Sequence, residues 1–168
     1  FLLRAKINPF GKQKKLLFAR GFAGTVSLLA YFYTLQNMPL ATAITLNYLS
    51  PISALLCSHY IFGEKMDKGI WRFFAMAFIG VAIIKGFDPR ITFFELALAL
   101  FAVTGAGFAY STVRALRSTE HELVVVFYFP LISLPMITPF SVSTWVWPEG
   151  VQWVYVLCIG VFTYIAQL

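Results

Sequence analysis

Charged side chains are scarce in this sequence. Asp, Glu, Lys and Arg make up only 12% of its 168 residues, and only seven residues are acidic. Because 60% of the residues are hydrophobic and the mean hydropathy is +0.78, an ordinary soluble domain is excluded. The apolar residues form long continuous runs, whereas outer-membrane strands alternate polar and apolar residues over about ten positions. The sequence therefore predicts an all-α integral membrane protein.

Cysteine and histidine are also rare, with two of each. Cys57 and Cys158 lie within apolar runs, where a thiol behaves as a small hydrophobic group. This placement predicts neither a disulfide nor a metal site, and the metalloprotease spacing H-E-x-x-H does not occur. We therefore expect no bound metal and no cofactor.

Six mostly apolar runs have the length of about 17–25 residues that crosses a bilayer as a helix. They cover residues 21–38, 40–63, 70–86, 93–113, 123–141 and 151–168. The predicted fold is a polytopic transmembrane helix bundle with six spans in this chain. The sequence begins with Phe and ends inside an apolar run, and we interpret it as an internal stretch of a longer protein with at least one helix before it.

Eleven of the thirteen Lys and Arg residues fall in three patches. The patches precede the first run, separate the second from the third, and separate the fourth from the fifth; they contain Arg4, Lys6, Lys12, Lys14, Lys15, Arg20, Lys65, Lys68, Arg72, Arg114 and Arg117. If successive helices cross in opposite directions, all three patches lie on one face, which predicts that this face is cytoplasmic. A bacterial inner membrane fits this arrangement best. Topology explains the net charge of +6, so nucleic-acid binding is not expected.

The second run carries polar residues at its centre, where Asn47, Tyr48 and Ser50 precede Pro51. Proline removes one backbone hydrogen bond and leaves the carbonyl four residues earlier, that of Asn47, without its usual donor. Polar groups are costly in lipid, so these should face other helices or a watery cavity. Two interpretations stay open for Asn47: it lines a cavity, or it holds helices together by hydrogen bonding.

Three other runs carry candidate residues. In the first, Tyr31 shares a stripe with small residues and would present its hydroxyl to the bundle interior. In the fourth, Tyr110 lies on a mixed face whose Arg114 we interpret as a topological anchor at the cytoplasmic edge. The fifth run contains Pro130, Pro135 and Pro139, which predict that its helix is interrupted or kinked more than once. Such interruptions can accompany a binding site in transporters, or the prolines can serve only to bend the helix.

Two sets of residues could serve as catalytic groups of a membrane-embedded enzyme: Ser58 with His59, and His121 with Glu120 and Glu122. Neighbouring residues on a helix point about 100° apart, so Ser58 and His59 do not form a nucleophile and base pair. His121 lies in a charged loop, where a solvated side chain is the ordinary outcome. The sequence therefore predicts that the protein is not an enzyme.

The first and sixth runs echo each other faintly. Aligning AGTVSLLAYF, residues 23–32, with IGVFTYIAQL, residues 159–168, pairs Gly24 with Gly160, Ser27 with Thr163 and Tyr31 with Gln167. Runs five apart cross the membrane in opposite directions, so this pairing is typical of an inverted repeat.

Residues 20–66 contain an Arg before a Gly-containing helix, the turn NMPLATA, the LSPI core at residues 49–52 and a closing Gly63-Glu64. In these elements the segment resembles the EamA-type repeat of the drug/metabolite transporter superfamily. The resemblance implies ten helices in two inverted repeats, of which this chain supplies the third to the eighth. Residues 1–86 would end the first repeat, and residues 87–168 would begin the second.

This resemblance further implies alternating-access transport of a small metabolite or drug, either amino acid-like or another polar solute. The expected substrate-binding residues are Tyr31, Asn47, Tyr48, Ser50 and Tyr110, with Tyr164 and Gln167 as weaker candidates. The expected partners are this solute and the lipid bilayer, and assembly as a homodimer is left open. His59 is the one titratable candidate for proton coupling, and the alternative is that it only packs against its neighbours or lies at the membrane interface. A non-transporting scaffold or sensor is the main alternative.

Overall fold

The computed structural model describes residues 11–66, 69–87, 91–142 and 145–167, and most of these residues are helical. The helices of this part of the chain are α1 (Lys14–Asn37), α2 (Leu40–Asn47), α3 (Ser50–Phe62), α4 (Ile70–Phe87), α5 (Phe93–Leu116), α6 (Glu122–Val142) and α7 (Gln152–Gln167). No strand occurs within these ranges. The prediction of an all-α bundle is confirmed.

A helix forms at each of the six apolar runs. Among the described residues, four segments are long and apolar enough to cross a membrane: α1, α2 together with α3, α5, and α6. The apolar parts of the other two helices are shorter, at Ile70–Ile83 in α4 and Gln152–Thr163 in α7. These helices, by their length and composition, are those of an integral membrane protein.

The second run is divided into two helices, whereas the sequence led us to expect one. The backbone leaves the regular helix at Tyr48 and Leu49, and Pro51 falls in the first turn of α3, where its missing N–H is tolerated. The Asn47 carbonyl accepts a hydrogen bond of 2.7 Å from the Ser50 hydroxyl. The group freed by Pro51 is therefore satisfied within the segment.

The helix of the fifth run behaves differently at its prolines. Pro130, Pro135 and Pro139 all lie inside α6, which remains one continuous helix from Glu122 to Val142. The expected interruption is therefore wrong for this helix, because the flanking turns keep enough backbone hydrogen bonds to continue the helix across each proline. The expected kinks stay a prediction.

The first helix begins at Lys14, seven residues before the predicted start of its run. Its N-cap residue, Gln13, makes no side-chain capping bond. Instead, the Glu120 carboxylate accepts backbone N–H bonds from Lys12 at 2.5 Å and from Gln13 at 2.6 Å. A negative charge at a helix N-terminus is favourable, so the α5–α6 connection stabilises the start of α1. As a result, Arg20 lies inside α1 rather than before it, which corrects our placement.

Helix α5 packs against both α1 and α3 through glycines. A methyl group added at Gly105 would contact the Ser27 side chain of α1, and one added at Gly107 would lie 2.6 Å from the Ser53 Cβ of α3. Missing side chains thus allow close approach of these helices, as is common in membrane bundles. The Ser27 hydroxyl donates to the Ala23 carbonyl of its own helix, so this close packing leaves it satisfied.

Two buried clusters of hydrophobic residues hold opposite ends of α1 and α5. One consists of Leu17, Leu116, Val124, Val125, Tyr128 and Ile132. The other consists of Met38, Ala43, Leu46, Val81, Ile91 and Ala99. Since Leu17 and Leu116 belong to the first cluster and Met38 and Ala99 belong to the second, α1 and α5 run antiparallel. The segments of both helices between the two clusters line a cavity.

Contacts at one end of the bundle bring the basic connections together. The Glu120 carboxylate binds the backbone just before α1, and Arg114 Nε lies 3.5 Å from Glu64 Oε1, just after α3. The residues just before α1, those just after α3 and the α5–α6 connection therefore lie at the same end. This is the arrangement that alternating helix directions predicted for the basic patches, of which Arg4, Lys6 and Lys68 lie outside the described residues.

Candidate functional site

A cavity of about 360 Å³ lies between α1 and α5, and α2, α6 and α7 each contribute to its wall. Its volume falls within the range of about 300–1,000 Å³ that is typical of small-molecule sites. The lining residues are Arg20, Gly24, Ser27, Leu28, Tyr31, Asn47, Ala102, Ala106, Ala109, Tyr110, Val113, Phe129 and Thr163. Small and apolar residues dominate, and a few polar groups converge on the space.

Three of the predicted site residues meet in this cavity. Tyr31 comes from α1, Asn47 from the last turn of α2 and Tyr110 from α5. They are distant in sequence and are brought together by the packing of α1 and α2 against α5. The cavity can therefore offer two phenol hydroxyl groups and one amide to a solute.

Asn47 is positioned by the break between α2 and α3. Its side-chain oxygen, Oδ1, lies 3.2 Å from the Ser50 hydroxyl, which also donates to the Asn47 carbonyl. Among the hydrogen bonds of the described residues, none joins the Asn47 side chain to another membrane-spanning segment. The geometry thus favours the cavity-lining interpretation over hydrogen bonding between helices.

The other predicted residues do not line this cavity. Tyr48 is 75% exposed on the surface of the described bundle, and Ser50 is buried beneath Asn47. The side chains of Tyr164 and Gln167 lie outside the described part of the structure. Their neighbour Thr163 does line the cavity, and so does Ser27, the residue that aligns with Thr163 when the first and sixth runs are compared. A substrate contact at Tyr48, Ser50, Tyr164 or Gln167 stays a prediction.

Arg20 is the lining residue that sequence reasoning missed. Its guanidinium carbon lies 5.4 Å from the centre of the Phe129 ring, a distance typical of a cation–π contact. Its Nε and Nη1 atoms are buried and have no hydrogen-bond partner among the described residues. The sequence did offer a signal, because Arg20 adjoins the first apolar run, but we counted it among the charges that set topology.

The residues weighed as catalytic groups have structural roles at the ends of helices. His59 Nδ1 lies 2.7 Å from the Glu64 carbonyl, beyond the Gly63 cap of α3. Glu120 stabilises the start of α1, and His121 Nδ1 accepts the Leu123 N–H in the first turn of α6. Among the described residues, no group of three or more His, Cys, Asp or Glu side chains is placed to hold a metal ion.

Comparison with known proteins finds similarity to transporters. Residues 1–86 match the model of the EamA-like transporter family. A pseudopaline exporter of Pseudomonas aeruginosa is 30% identical over 156 residues, which cover 91% of this chain and 55% of that protein. An uncharacterized transporter of Helicobacter pylori is 29% identical over 129 residues, 75% of this chain and 42% of the relative.

A shorter match extends the range of relatives. A probable 4-amino-4-deoxy-L-arabinose-phosphoundecaprenol flippase subunit of Pectobacterium atrosepticum is 33% identical over 61 residues, which cover 36% of this chain and 54% of the subunit. The chain spans about half the length of the curated relatives it matches. No solved structure matches it.

Proposed function

The chain belongs to the EamA-like transporter family, and from that membership we propose that the protein carries a small polar metabolite across a membrane through the cavity between α1 and α5. The observation that supports this most strongly is the convergence of Tyr31, Asn47 and Tyr110 on one space between membrane-spanning helices. Polar groups at such a depth are expensive unless they serve a site or a pathway. The relatives described as an exporter and a flippase subunit support a transport role.

Each lining polar group has a proposed task in binding. Tyr31 and Tyr110 can donate or accept hydrogen bonds through their hydroxyl groups and offer aromatic faces to an apolar part of the solute. The Asn47 amide nitrogen can donate, whereas the amide oxygen already accepts from the Ser50 hydroxyl. Thr163 brings a hydroxyl from α7, so the solute would contact the parts of the chain before and after residue 86.

Transport would proceed by alternating access between two inverted repeats. We propose that residues 1–86 form the last part of the first repeat and that residues 87–168 form the first part of the second, in line with the family match over residues 1–86. The cavity is lined from both parts, by α1 and α2 on one side and by α5, α6 and α7 on the other. Movement of one part against the other would change which end of the cavity is open.

We propose that the end of the bundle that gathers the described basic residues faces the cytoplasm. Glu120 and Arg114 contact the neighbouring connections there, and Lys12, Lys14 and Lys15 are exposed at the same end. An excess of basic residues marks the cytoplasmic side of membrane proteins. A bacterial inner membrane is the proposed location, and assembly as a homodimer stays a prediction from the sequence.

Solute flux in proteoliposomes tests the transport proposal. The purified protein would be screened with amino acids, nucleosides and cationic drugs, with and without an imposed pH gradient. We expect saturable flux of at least one solute, and a loss of about tenfold or more in Tyr31→Ala and Asn47→Ala, because each removes a hydrogen-bonding group from the cavity.

The matched controls are Tyr33→Ala and Asn37→Ala, which remove the same side chains from exposed positions near the end of α1. Flux should survive in both controls. Absence of flux for every solute would count against transport, and equal flux in all four variants would remove the cavity assignment while keeping the transporter.

A further inference from the structure

We infer that Arg20 makes this cavity selective for solutes that carry an oxyanion, a carboxylate or a phosphate. The inference rests on the proposed transport function and adds the chemical class of the solute. It depends on where Arg20 lies, on its unused hydrogen-bond donors and on the absence of an acidic partner among the described residues that line the cavity.

Arg20 lies deeper in the bundle than the basic residues at the start of α1. Lys14 and Lys15 occupy the first turn and are exposed, and Arg20 follows Lys15 by five residues, about 7.5 Å along the helix axis. The buried Leu17 and its cluster separate it from that end. A charged residue at such a depth faces the interior of a bundle and marks a solute or ion pathway more often than an anchor.

The guanidinium has hydrogen-bond donors to spare. Nε and Nη1 are buried, yet neither donates to any group in the part of the chain that the structure describes. A buried donor without a partner is costly, and a buried charge without a partner is costlier still. The Phe129 ring beneath the guanidinium compensates only in part, because cation–π attraction is modest and leaves the N–H groups unpaired.

The nearby carboxylates are already engaged. Glu120 binds the backbone of Lys12 and Gln13, and Glu64 pairs with Arg114. The described residues that line the cavity include no Asp and no Glu. Among these residues Arg20 therefore brings one positive charge without a matching negative charge, and we assign the counter-charge to a solute.

The surroundings of Arg20 leave room for that solute. The cavity that Arg20 lines has a volume of about 360 Å³. Arg20 lines the cavity while Nε and Nη1 are covered on the protein side. Binding therefore requires the guanidinium to turn from the Phe129 ring towards the cavity, where its planar fork can pair with two oxygens of one carboxylate or phosphate.

The experiment follows the guanidinium itself by NMR. Protein labelled with ¹⁵N-arginine would be titrated with benzoate, phenyl phosphate and benzamide, and the Arg20 Nε signal would be assigned by its loss in Arg20→Lys. We expect saturable shifts of this signal with one or both anions and none with benzamide, the neutral analogue. Benzoate alone would identify a carboxylate site, and phenyl phosphate alone a phosphate site. Equal shifts with benzamide, or no saturable shift with either anion, would overturn the inference.

Equilibrium binding of the same anions gives a second readout. Arg20→Gln should weaken binding about tenfold or more, since hydrogen bonds to a charged group are lost. The matched control is Arg114→Gln, which removes one Arg charge from the same end of the bundle at an exposed side chain. Equal weakening in both variants would reduce the effect to general electrostatics and contradict the inference.

The two proposals can fail separately. Saturable anion binding at Arg20 in a protein that transports no solute would contradict the transport proposal and support this inference. Transport of neutral solutes that is unchanged in Arg20→Gln would support the transport proposal and contradict this inference.

Discussion

The contact between α3 and α5 depends on the missing side chain of Gly107. A methyl group at this position would lie 2.6 Å from the Ser53 Cβ and 2.7 Å from the Ala54 backbone nitrogen. Both atoms belong to or adjoin the α3 backbone, so no side-chain rotation removes the clash. Gly107→Ala should therefore force the two helices apart.

The size of the effect follows from two opposing terms. Alanine is favoured over glycine in a helix interior by about 1 kcal/mol, and overpacking a close contact costs about 1–3 kcal/mol. Gly80→Ala in α4 is the matched control, because no atom of the described residues lies within 4 Å of the added methyl group. The propensity term is common to both variants, so Gly107→Ala should be less stable than Gly80→Ala by about 1–3 kcal/mol.

Reversible unfolding of the purified protein in mixed detergent micelles measures this difference. Adding Ser53→Ala to Gly107→Ala should restore little stability, because the Ser53 Cβ and the Ala54 nitrogen both remain. Equal stability of Gly107→Ala and Gly80→Ala would refute the reasoning, since it would show that α3 and α5 do not approach as closely as described.

Three further predictions concern neighbouring contacts. Gly105→Ala should be destabilising but rescued by Ser27→Ala, because the clash is with the Ser27 hydroxyl and its Cβ would remain at an ordinary 3.4 Å; unfolding of the double variant checks this. Glu120→Gln should lower stability by about 0.3–1 kcal/mol and speed amide exchange in the first turn of α1, because a charge is lost from that helix N-terminus. A double-mutant cycle on Arg114 and Glu64 should give a coupling below about 1 kcal/mol, as both side chains are exposed and their nitrogen and oxygen lie 3.5 Å apart; a larger coupling would contradict a solvated pair.

Much of the fold follows from local properties of the sequence. The six apolar runs each form helix, because run length and hydropathy are set by nearby residues. Tyr31, Asn47 and Tyr110 could be selected as site candidates because a polar side chain within an apolar run needs a reason to be there. The structure gathers these three in one cavity.

The sequence shows that Arg20 adjoins the first apolar run, but it does not determine whether Arg20 lies inside α1. Whether this residue precedes α1 or lies inside it depends on where the helix begins, and that start is stabilised by Glu120, which is 107 residues from Gln13. A contact over such a sequence distance leaves no local pattern. Counting basic residues by membrane face predicts an orientation, but it treats every Arg and Lys as equally deep.

The break at Tyr48 and Leu49 was predicted only in part. The missing donor at Pro51 was evident, and we expected the freed Asn47 carbonyl to face a cavity or another helix. The Ser50 hydroxyl reaches it first, because Ser50 is three residues away on the same segment. Short-range competition of this kind is decided by the turn geometry, which the residue types alone do not determine.

This break also gives α2 and α3 a joint. The Tyr48 N–H is shared between the Ile44 and Thr45 carbonyls, the Leu49 N–H reaches the Leu46 carbonyl, and the Ser50 hydroxyl reaches that of Asn47. Each of these carbonyls has a donor from within the segment, so none depends on water or on the neighbouring helices. A membrane helix broken in this way can change its bend through the torsions of two residues without exposing an unpaired backbone group to lipid. Since Asn47 lies on the α2 side of the joint, such bending would move its amide relative to Tyr110 and alter the cavity from within.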